Sequence, residues 1–328
     1  RADVQVDFAE VMARVRRVVA TVAPHDSVAR YTQLGVEVIE GHAKITSPWT
    51  VEVNGRTLTT RAMVIATGAR PFVPPIPGLE EAGYYTSDTL WSLTALPRRL
   101  VVLGGGPIGC ELAQAFARLG SEVVQIEMQP RLMGREDPEA SAAVAQALTA
   151  DGVRVLTGHQ ALRCERTGGE KRIVVKQDEQ ESAIPFDALL CAVGRVPRTE
   201  GYGLEELGMA PDPRKTIEVD AYLQTLHPNI YACGDVAGPY QFTHTAGHQA
   251  WYAAVNALFG RFKRFKVDYS VIPWTTFTDP EVARVGLSED EARQRGIACE
   301  VVKYGLDDLD RAITDEAAHG FVKVPTVA

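Results

Sequence analysis

The sequence predicts an α/β protein built around a doubly wound parallel sheet. Between residues 99 and 156, β-type and helical segments alternate, as they do in βαβ units. Gly104, Gly106 and Gly109 form a G-x-G-x-x-G pattern that follows the first of these strands and opens the first helix. Glu127 ends the second strand. Together these observations are typical of a Rossmann-like nucleotide-binding domain.

The composition is that of a water-soluble globular protein, with 45% hydrophobic and 23% charged residues. A length of 328 residues suffices for two or three domains. The net charge of −8 argues against nucleic acid as a partner, because phosphate contacts need clustered Lys and Arg. No apolar leader and no apolar run of about eighteen residues occur, so we expect a cytoplasmic protein without a membrane partner. The basic residues 261–266 are interpreted as a solvated connection rather than a docking patch.

Several elements are predicted before the nucleotide-binding unit. Apolar residues recur at helical spacing over residues 7–20, which predicts an amphipathic helix. Short β-type runs predict strands at residues 36–39, 44–46, 50–53 and 63–66, and Asn54-Gly55 is a hairpin signal. Four prolines between residues 71 and 77 indicate a linker, because proline continues neither a helix nor a central strand.

The central unit is predicted in finer detail. Its strands are residues 100–103, 122–126 and 153–156, and its helices are residues 108–119 and 138–150. A polar, β-rich stretch at residues 161–185 leads to a buried strand at 188–193, and a boundary follows near Pro197. The last part contains a strand at 230–233, a helix at 245–259 and a β-containing segment from residue 268 with a helix at 289–295.

The glycine-rich loop is the strongest local signal. Gly104 permits the tight turn, Gly106 lets a pyrophosphate approach the backbone, and Gly109 lets the helix pack closely on the strand. Pro107 and Ile108 begin the helix, whose positive N-terminal end favours phosphate groups. The loop therefore predicts a dinucleotide site.

Glu127 indicates which dinucleotide binds. It lies about twenty residues beyond the glycines, where a carboxylate accepts hydrogen bonds from the ribose hydroxyls and repels a 2′-phosphate. NADH is therefore favoured over NADPH. Two alternatives stay open: Glu127 as a solvated strand end, and Arg131 as a partner for a phosphate.

Three further segments carry a family resemblance. They are VIATGARPFVPPIPG at residues 64–78, TLHPNIYACGDVAG at 225–238 and PWTTFTDPEVARVGLSEDEA at 273–292. In order and spacing they resemble pyridine nucleotide-disulfide oxidoreductases, particularly mercuric reductases and dihydrolipoamide dehydrogenases. The resemblance implies an NAD(P)H-binding domain (residues 79–198) inserted in a partial FAD-binding domain (residues 1–78 and 199–266). The start of an α+β dimerisation domain would follow at residues 267–328.

The resemblance also implies site residues. Glu111 would be the catalytic helix glutamate that faces the nicotinamide, and Pro107 replaces the bulky residue with which many relatives gate that pocket. The remaining positions belong to the two cofactors. The NAD site would add Gly194 and Arg195, and the FAD site would use Thr67, Gly68, Gly234, Asp235, Thr243 and His244.

The function implied is transfer of hydride from NADH to FAD and of electrons onward to a small disulfide or a metal ion, in a homodimer. The sequence shows no C-x-x-x-x-C pair, no second G-x-G-x-x-G and no His-Pro-x-x-x-Glu, and its five cysteines are far apart. The only histidines at metal-ligand spacing are His244, placed beside the flavin, and His248, interpreted as helix surface. We therefore expect a piece of a longer enzyme, cut at both ends, that lacks the redox cysteines. The alternative is a non-catalytic NAD(H)-binding module.

Overall fold

The computed structural model of the chain describes residues 6–327, so residues 1–5 and 328 of the first and last predicted domains lie outside the described part. The helices in this part are α1 (Phe8–Val22), α2 (Val28–Gln33), α3 (Leu79–Ala82), α4 (Pro107–Arg118), α5 (Pro138–Ala150), α6 (Thr243–Phe259), α7 (Glu289–Gln294) and α8 (Asp310–Thr314). The first eight strands in this part are β1 (Ala43–Ser47), β2 (Thr50–Val53), β3 (Arg56–Thr59), β4 (Met63–Ile65), β5 (Ala69–Pro71), β6 (Tyr85–Thr86), β7 (Arg99–Leu103) and β8 (Glu122–Glu127). The remaining strands are β9 (Arg154–Thr157), β10 (Gln160–Thr167), β11 (Glu170–Gln177), β12 (Gln180–Phe186), β13 (Ala188–Cys191), β14 (Arg195–Pro197), β15 (Ile230–Ala232), β16 (Pro273–Thr276), β17 (Val282–Val285), β18 (Cys299–Gly305) and β19 (Phe321–Val327).

The chain divides into two compact units, each built from separate stretches of sequence. Unit 1 contains the residues up to Met12, residues 71–194 and residues from 273 onward. Unit 2 contains residues 13–70 and 195–272. The three predicted domain boundaries, after residues 78, 198 and 266, stay a prediction.

A five-stranded parallel sheet in the order β6-β13-β7-β8-β9 forms the centre of unit 1. Helix α4 connects β7 to β8 and α5 connects β8 to β9, so the predicted βαβαβ series and the α/β fold class are confirmed. Both helices begin with a proline, which needs no N–H partner in the first turn. The antiparallel sheet β10-β11-β12 contributes Ile173 and Phe186 to the same core as Leu189 of β13.

Unit 2 is built on the parallel pair β4 and β15. Its core joins Ile65 and Ile230 of these strands to Ile45 of the antiparallel sheet β1-β2-β3. Helix α6 packs on both central strands. Val64, in the middle of β4, is nevertheless 43% exposed, whereas its partner on β15, Tyr231, is 6% exposed.

Two local predictions of strand structure have different outcomes. The Asn54-Gly55 hairpin is confirmed: both residues have positive φ, at 51° and 73°, and the turn joins β2 to a partner strand, β3, that was not predicted. The predicted strand at residues 36–39 is wrong. Val36 and Val38 are exposed and the segment has no place in any sheet, because alternation of residue types alone supplies no partner strand.

Among residues 6–327, no helix is long and apolar enough to cross a bilayer.

Candidate functional site

Strand β7 and helix α4 pack closely at the glycine-rich loop that joins them. Gly104 has a φ of 111°, and a Cβ there would overlap the carbonyl oxygen of Ala192. At Gly109 a Cβ would overlap the carbonyl oxygen of Gly104. By contrast, a Cβ on Gly106 would meet nothing within 4 Å. Close packing therefore requires two of the glycines, whereas the third faces open space.

All the carbonyl groups of this loop point into the protein. They accept hydrogen bonds as follows: Gly104 O from Gln125 Nε2 at 3.0 Å, Gly105 O from Met133 N at 2.7 Å, and Gly106 O from Cys110 N at 3.0 Å. The negative ends of the loop peptides are thus neutralised internally.

The N–H groups of the same segment are available to a ligand. Within residues 6–327, the N–H groups of Gly106, Ile108 and Gly109 have no hydrogen-bond acceptor. Pro107, between them, is exposed and has no N–H. Unpartnered donors at the positive end of a helix dipole form a site that suits a phosphate or another anion. The backbone around the predicted pyrophosphate position therefore fits that group.

Glu127 lies beside the loop at the end of β8. Its Oε2 accepts a hydrogen bond from Gly105 N–H at 2.5 Å, and its Oε1 accepts one from Gln129 N–H at 2.7 Å. A carboxylate has about four lone-pair positions, so two remain for other donors. Arg131, the alternative phosphate partner, donates to the carbonyl of Gly134 at 3.0 Å.

Helix α4 also holds a distant segment of unit 1. The Oε1 of Glu111 accepts from Phe277 N–H at 2.8 Å. The amide of Gln114 binds both the N–H and the carbonyl of Asp279, at 2.7 and 2.8 Å, and Arg118 pairs with the Asp279 carboxylate at 2.8 Å. Sequence reasoning missed this tether, although Glu111, Gln114 and Arg118 form a polar stripe at i, i+3 and i+7 that signals a contact along one helix face.

Charged side chains before α5 bind the same C-terminal part of unit 1. Glu136 accepts from Trp274 Nε1 at 2.8 Å and lies 3.7 Å from Arg284, whose guanidinium also stacks over the Trp274 ring at 4.8 Å. The Glu136 and Arg284 side chains are only 8% and 11% exposed. Nothing in the sequence signals this pair beyond the presence of charge.

A second ion pair extends this cluster. Lys323 lies 3.5 Å from Asp137 and 2.8 Å from Glu289. The hydrogen bond from Lys323 holds the pKa of Glu289 below its ordinary value, and the same bond raises the pKa of Lys323. We call Glu136, Asp137, Arg284, Glu289 and Lys323 the ionic cluster.

The residues predicted for the flavin lie in unit 2, at one edge of its central strand pair. Thr67 and Gly68 follow β4, and Gly234 and Asp235 follow β15. Because β4 and β15 are parallel, both pairs occupy the carboxyl end of the strands, where α/β sheets bind their ligands. The hydroxyl of Thr67 donates to the carbonyl of Arg198 at 2.8 Å, which fixes this turn.

Arg195, which is predicted for the NAD site, contacts the predicted flavin residue Asp235 and the backbone of Ala69, both in unit 2. Its Nε lies 3.4 Å from Oδ2 of Asp235, and its Nη2 donates to the carbonyl of Ala69 at 3.1 Å. Gly194, which precedes it, has a φ of 124° and accepts from Phe72 N–H at 2.9 Å in unit 1. The two residues are consecutive in the chain and the boundary between the two compact units falls between them, so their assignment to the NAD site stays a prediction.

The start of α6 completes the predicted flavin residues. Thr243 and His244 are exposed in its first turn, and the His244 ring stacks on Phe242 at 5.4 Å. Behind them, the buried amide of Gln249 accepts from Gly234 N–H at 2.5 Å and donates to the Gly238 carbonyl at 2.6 Å. This side chain, which sequence reasoning missed, holds the turn that carries Asp235 against α6.

All five cysteines are free, and four of them are buried. Burial raises the pKa of the Cys110 and Cys191 thiols to about 12 and that of Cys164 to about 11, and it also raises the pKa of Cys233. Among residues 6–327, no three His, Cys, Asp or Glu side chains come together in a way that would hold a metal ion.

Comparisons with known proteins agree on one family. The model of the pyridine nucleotide-disulphide oxidoreductases matches residues 8–250, and the model of their dimerisation domain matches residues 272–327. A mercuric reductase of Bacillus cereus is 37% identical over 319 residues, which cover 97% of this chain and 50% of that protein. A dihydrolipoyl dehydrogenase of Thermus scotoductus is 38% identical over 298 residues, which cover 88% of this chain and 62% of that protein. The chain thus spans between half and two thirds of these two relatives.

A solved structure shows the same likeness in three dimensions. The HOCl-induced flavoprotein disulfide reductase RclA from Escherichia coli superposes with a TM-score of 0.86 at 30% sequence identity. The match covers 98% of this chain and 74% of that one.

The thiol environments predict which cysteine reacts with Ellman's reagent in the native protein. Cys299, which is only partly buried, should react first, because the other four thiols are buried and stay protonated at neutral pH. We expect one fast thiol per native chain and five in denaturant. Cys299→Ser should abolish the fast phase, and two or more fast thiols in the native protein would contradict the assignment.

Proposed function

This chain belongs to the pyridine nucleotide-disulphide oxidoreductase family, and on that premise we propose that the loop between β7 and α4 binds the pyrophosphate of NADH. The observation that carries the proposal is the arrangement of the loop backbone. Its carbonyls are satisfied inside the protein, while the N–H groups of Gly106, Ile108 and Gly109 are free at a helix N-terminus.

Two carboxylates would orient the bound nucleotide. The lone pairs left on Glu127 would accept hydrogen bonds from the adenosine ribose. Glu111, held by Phe277 N–H, would face the nicotinamide. NADH would supply the hydride and FAD would accept it, so the contribution of the protein would be binding and orientation of the two cofactors.

We propose that FAD is bound by the residues at the carboxyl end of β4 and β15. Asp235, held in place by Arg195, would accept hydrogen bonds from ribityl hydroxyls. The turn at Thr67 and Gly68 and the turn at Gly234 would lie beside the same chain. The first turn of α6, with Thr243 and His244, would stabilise negative charge on the flavin through its N–H groups.

For the whole protein we propose an FAD-dependent oxidoreductase that transfers electrons from NADH to a small disulfide or a metal ion. The mercuric reductase and dihydrolipoyl dehydrogenase relatives support these two classes of acceptor. The match of residues 272–327 to a dimerisation domain supports a homodimer. A non-catalytic NADH-binding module is the second candidate, favoured by the burial of four cysteines, which raises their pKa and makes them poor nucleophiles.

Replacing two glycines of the loop should separate binding from folding. In Gly106→Val the new side chain points into open space, so we expect the unfolding midpoint to stay unchanged while NADH binding is lost. In Gly109→Val the Cβ would overlap the Gly104 carbonyl, so the free energy of unfolding should fall by several kcal/mol, as expected of overpacking. Calorimetric titration and urea unfolding measure the two effects. NADH affinity in Gly106→Val equal to that of the unaltered protein would refute the placement of the pyrophosphate.

Glu127 should give a preference for NADH over NADPH of about tenfold or more, which corresponds to at least 1.4 kcal/mol. The cause is repulsion between its carboxylate and the 2′-phosphate. Glu127→Arg should reverse the order, because a guanidinium binds phosphate in a bidentate manner. Glu122→Arg, at the exposed start of the same strand, is the matched control and should keep the preference. Equal or tighter binding of NADPH by the unaltered protein would sink the idea.

The 328-residue chain by itself should neither retain FAD tightly nor reduce disulfides or mercuric ion. Its single G-x-G-x-x-G lies in the nucleotide loop, so the flavin pyrophosphate lacks an equivalent loop, and none of its cysteines is paired. The visible spectrum of the purified chain and NADH oxidation with added FAD and acceptor measure the outcome. A yellow protein with stoichiometric FAD and steady turnover is the contrary result.

A further inference from the structure

We propose that Gln125 is a positioning residue for nucleotide binding, which fixes the glycine loop from below so that the loop N–H groups face the pyrophosphate. The inference rests on the proposed function of this loop. It concerns a side chain that touches the loop from within the core and makes no contact with a ligand itself.

Gln125 occupies a position where an apolar residue is the expected choice. It lies in β8, between Val102 of β7 and Val155 of β9, and is 0% exposed. Strands inside a parallel sheet that is covered on both faces are typically continuous runs of apolar residues. A glutamine here needs a reason other than packing.

The side-chain amide of Gln125 makes hydrogen bonds through its nitrogen but not through its oxygen. Nε2 donates to the carbonyl of Gly104 at 3.0 Å and to Sγ of Cys110 at 3.5 Å. Within residues 6–327, the buried Oε1 has no hydrogen-bond partner. Rotating the amide by half a turn would place Oε1 against the Gly104 carbonyl oxygen, which is also an acceptor, so the present orientation is the favourable one.

Because its buried Oε1 has no hydrogen-bond donor, Gln125 is not the residue that would make the fold most stable. A buried amide oxygen without a donor loses its hydration and gains nothing in return. Methionine has a similar length, is unbranched and has no such requirement. The favourable contribution that offsets this cost must therefore come from Nε2, which binds the Gly104 carbonyl of the loop.

The hydrogen bond from Gln125 Nε2 helps to set the orientation of the first peptide of the loop, between Gly104 and Gly105. Gly104 has a φ of 111° and no side chain to restrict it, so the orientation of its peptide depends on two side chains: Glu127, which accepts from Gly105 N–H, and Gln125, which donates to the Gly104 carbonyl. An outward carbonyl would present negative charge to the phosphates. With Gln125 holding it inward, the donors of Gly106 and Ile108 are arranged before the ligand arrives, which lowers the cost of binding.

Gln125→Met tests the proposal with two measurements on the same protein. We expect the Kd of NADH to rise about five- to tenfold, as for loss of one ordering hydrogen bond. The thermal unfolding midpoint should change little, because removal of the unpartnered oxygen offsets the loss of the donor to the buried Gly104 carbonyl. ADP-ribose, which carries the pyrophosphate without the nicotinamide, should lose affinity by the same factor.

Ser121→Ala is the matched control. Ser121 is buried just before β8, at the other end of the strand, and its hydroxyl donates to the carbonyl of Pro97 at 2.6 Å. Loss of that bond should lower the unfolding midpoint and leave the Kd of NADH within about twofold, because it does not touch the loop.

Three results would overturn the proposal. The first is an unchanged Kd of NADH in Gln125→Met, and the second is a raised Kd together with a clearly lowered unfolding midpoint. The third is normal ADP-ribose affinity in a variant that binds NADH weakly. The second result would mean a structural role only. Failure of the unaltered protein to bind NADH would instead refute the proposed function, so the two failures are distinguishable.

Discussion

The close approach of Gly104 to Gly109 is the constraint on which unit 1 depends. The absence of both side chains lets α4 start directly against the end of β7, with its first N–H groups facing outward. That same helix position places Glu111, Gln114 and Arg118 along the segment from Phe277 to Asp279. One steric requirement thus sets the anion-binding backbone and the attachment of the C-terminal part of the unit.

Features with a local cause could be predicted from the sequence. The alternating elements predicted the parallel sheet, because the period of apolar residues reports directly on helix and strand. The Asn54-Gly55 turn was predictable because few residues adopt two successive positive φ values. The strand expected at residues 36–39 failed because a strand exists only with a partner, and the pattern of one segment says nothing about its neighbour.

Features that join distant residues could not be predicted. In the sequence Gln125 is an ordinary polar residue of a strand, and only its contact with Gly104 indicates that it orients the glycine loop. The resemblance assigns Arg195 to the NAD site, and nothing in its sequence context indicates that its side chain pairs with Asp235. Residue type indicates that an arginine needs a partner but does not identify which carboxylate provides it.

The ionic cluster also has a consequence for how the chain is made. Ribosomes synthesise Glu136 and Asp137 well before Arg284 and Lys323, which supply their positive partners. Nascent domains generally fold as soon as they emerge, so the sheet and helices of unit 1 would form while these carboxylates are still hydrated and unpaired. Glu136 and Asp137 thus gain their positive partners only after Arg284 and Lys323 have been synthesised, so this cluster is completed after the sheet and helices around it have formed.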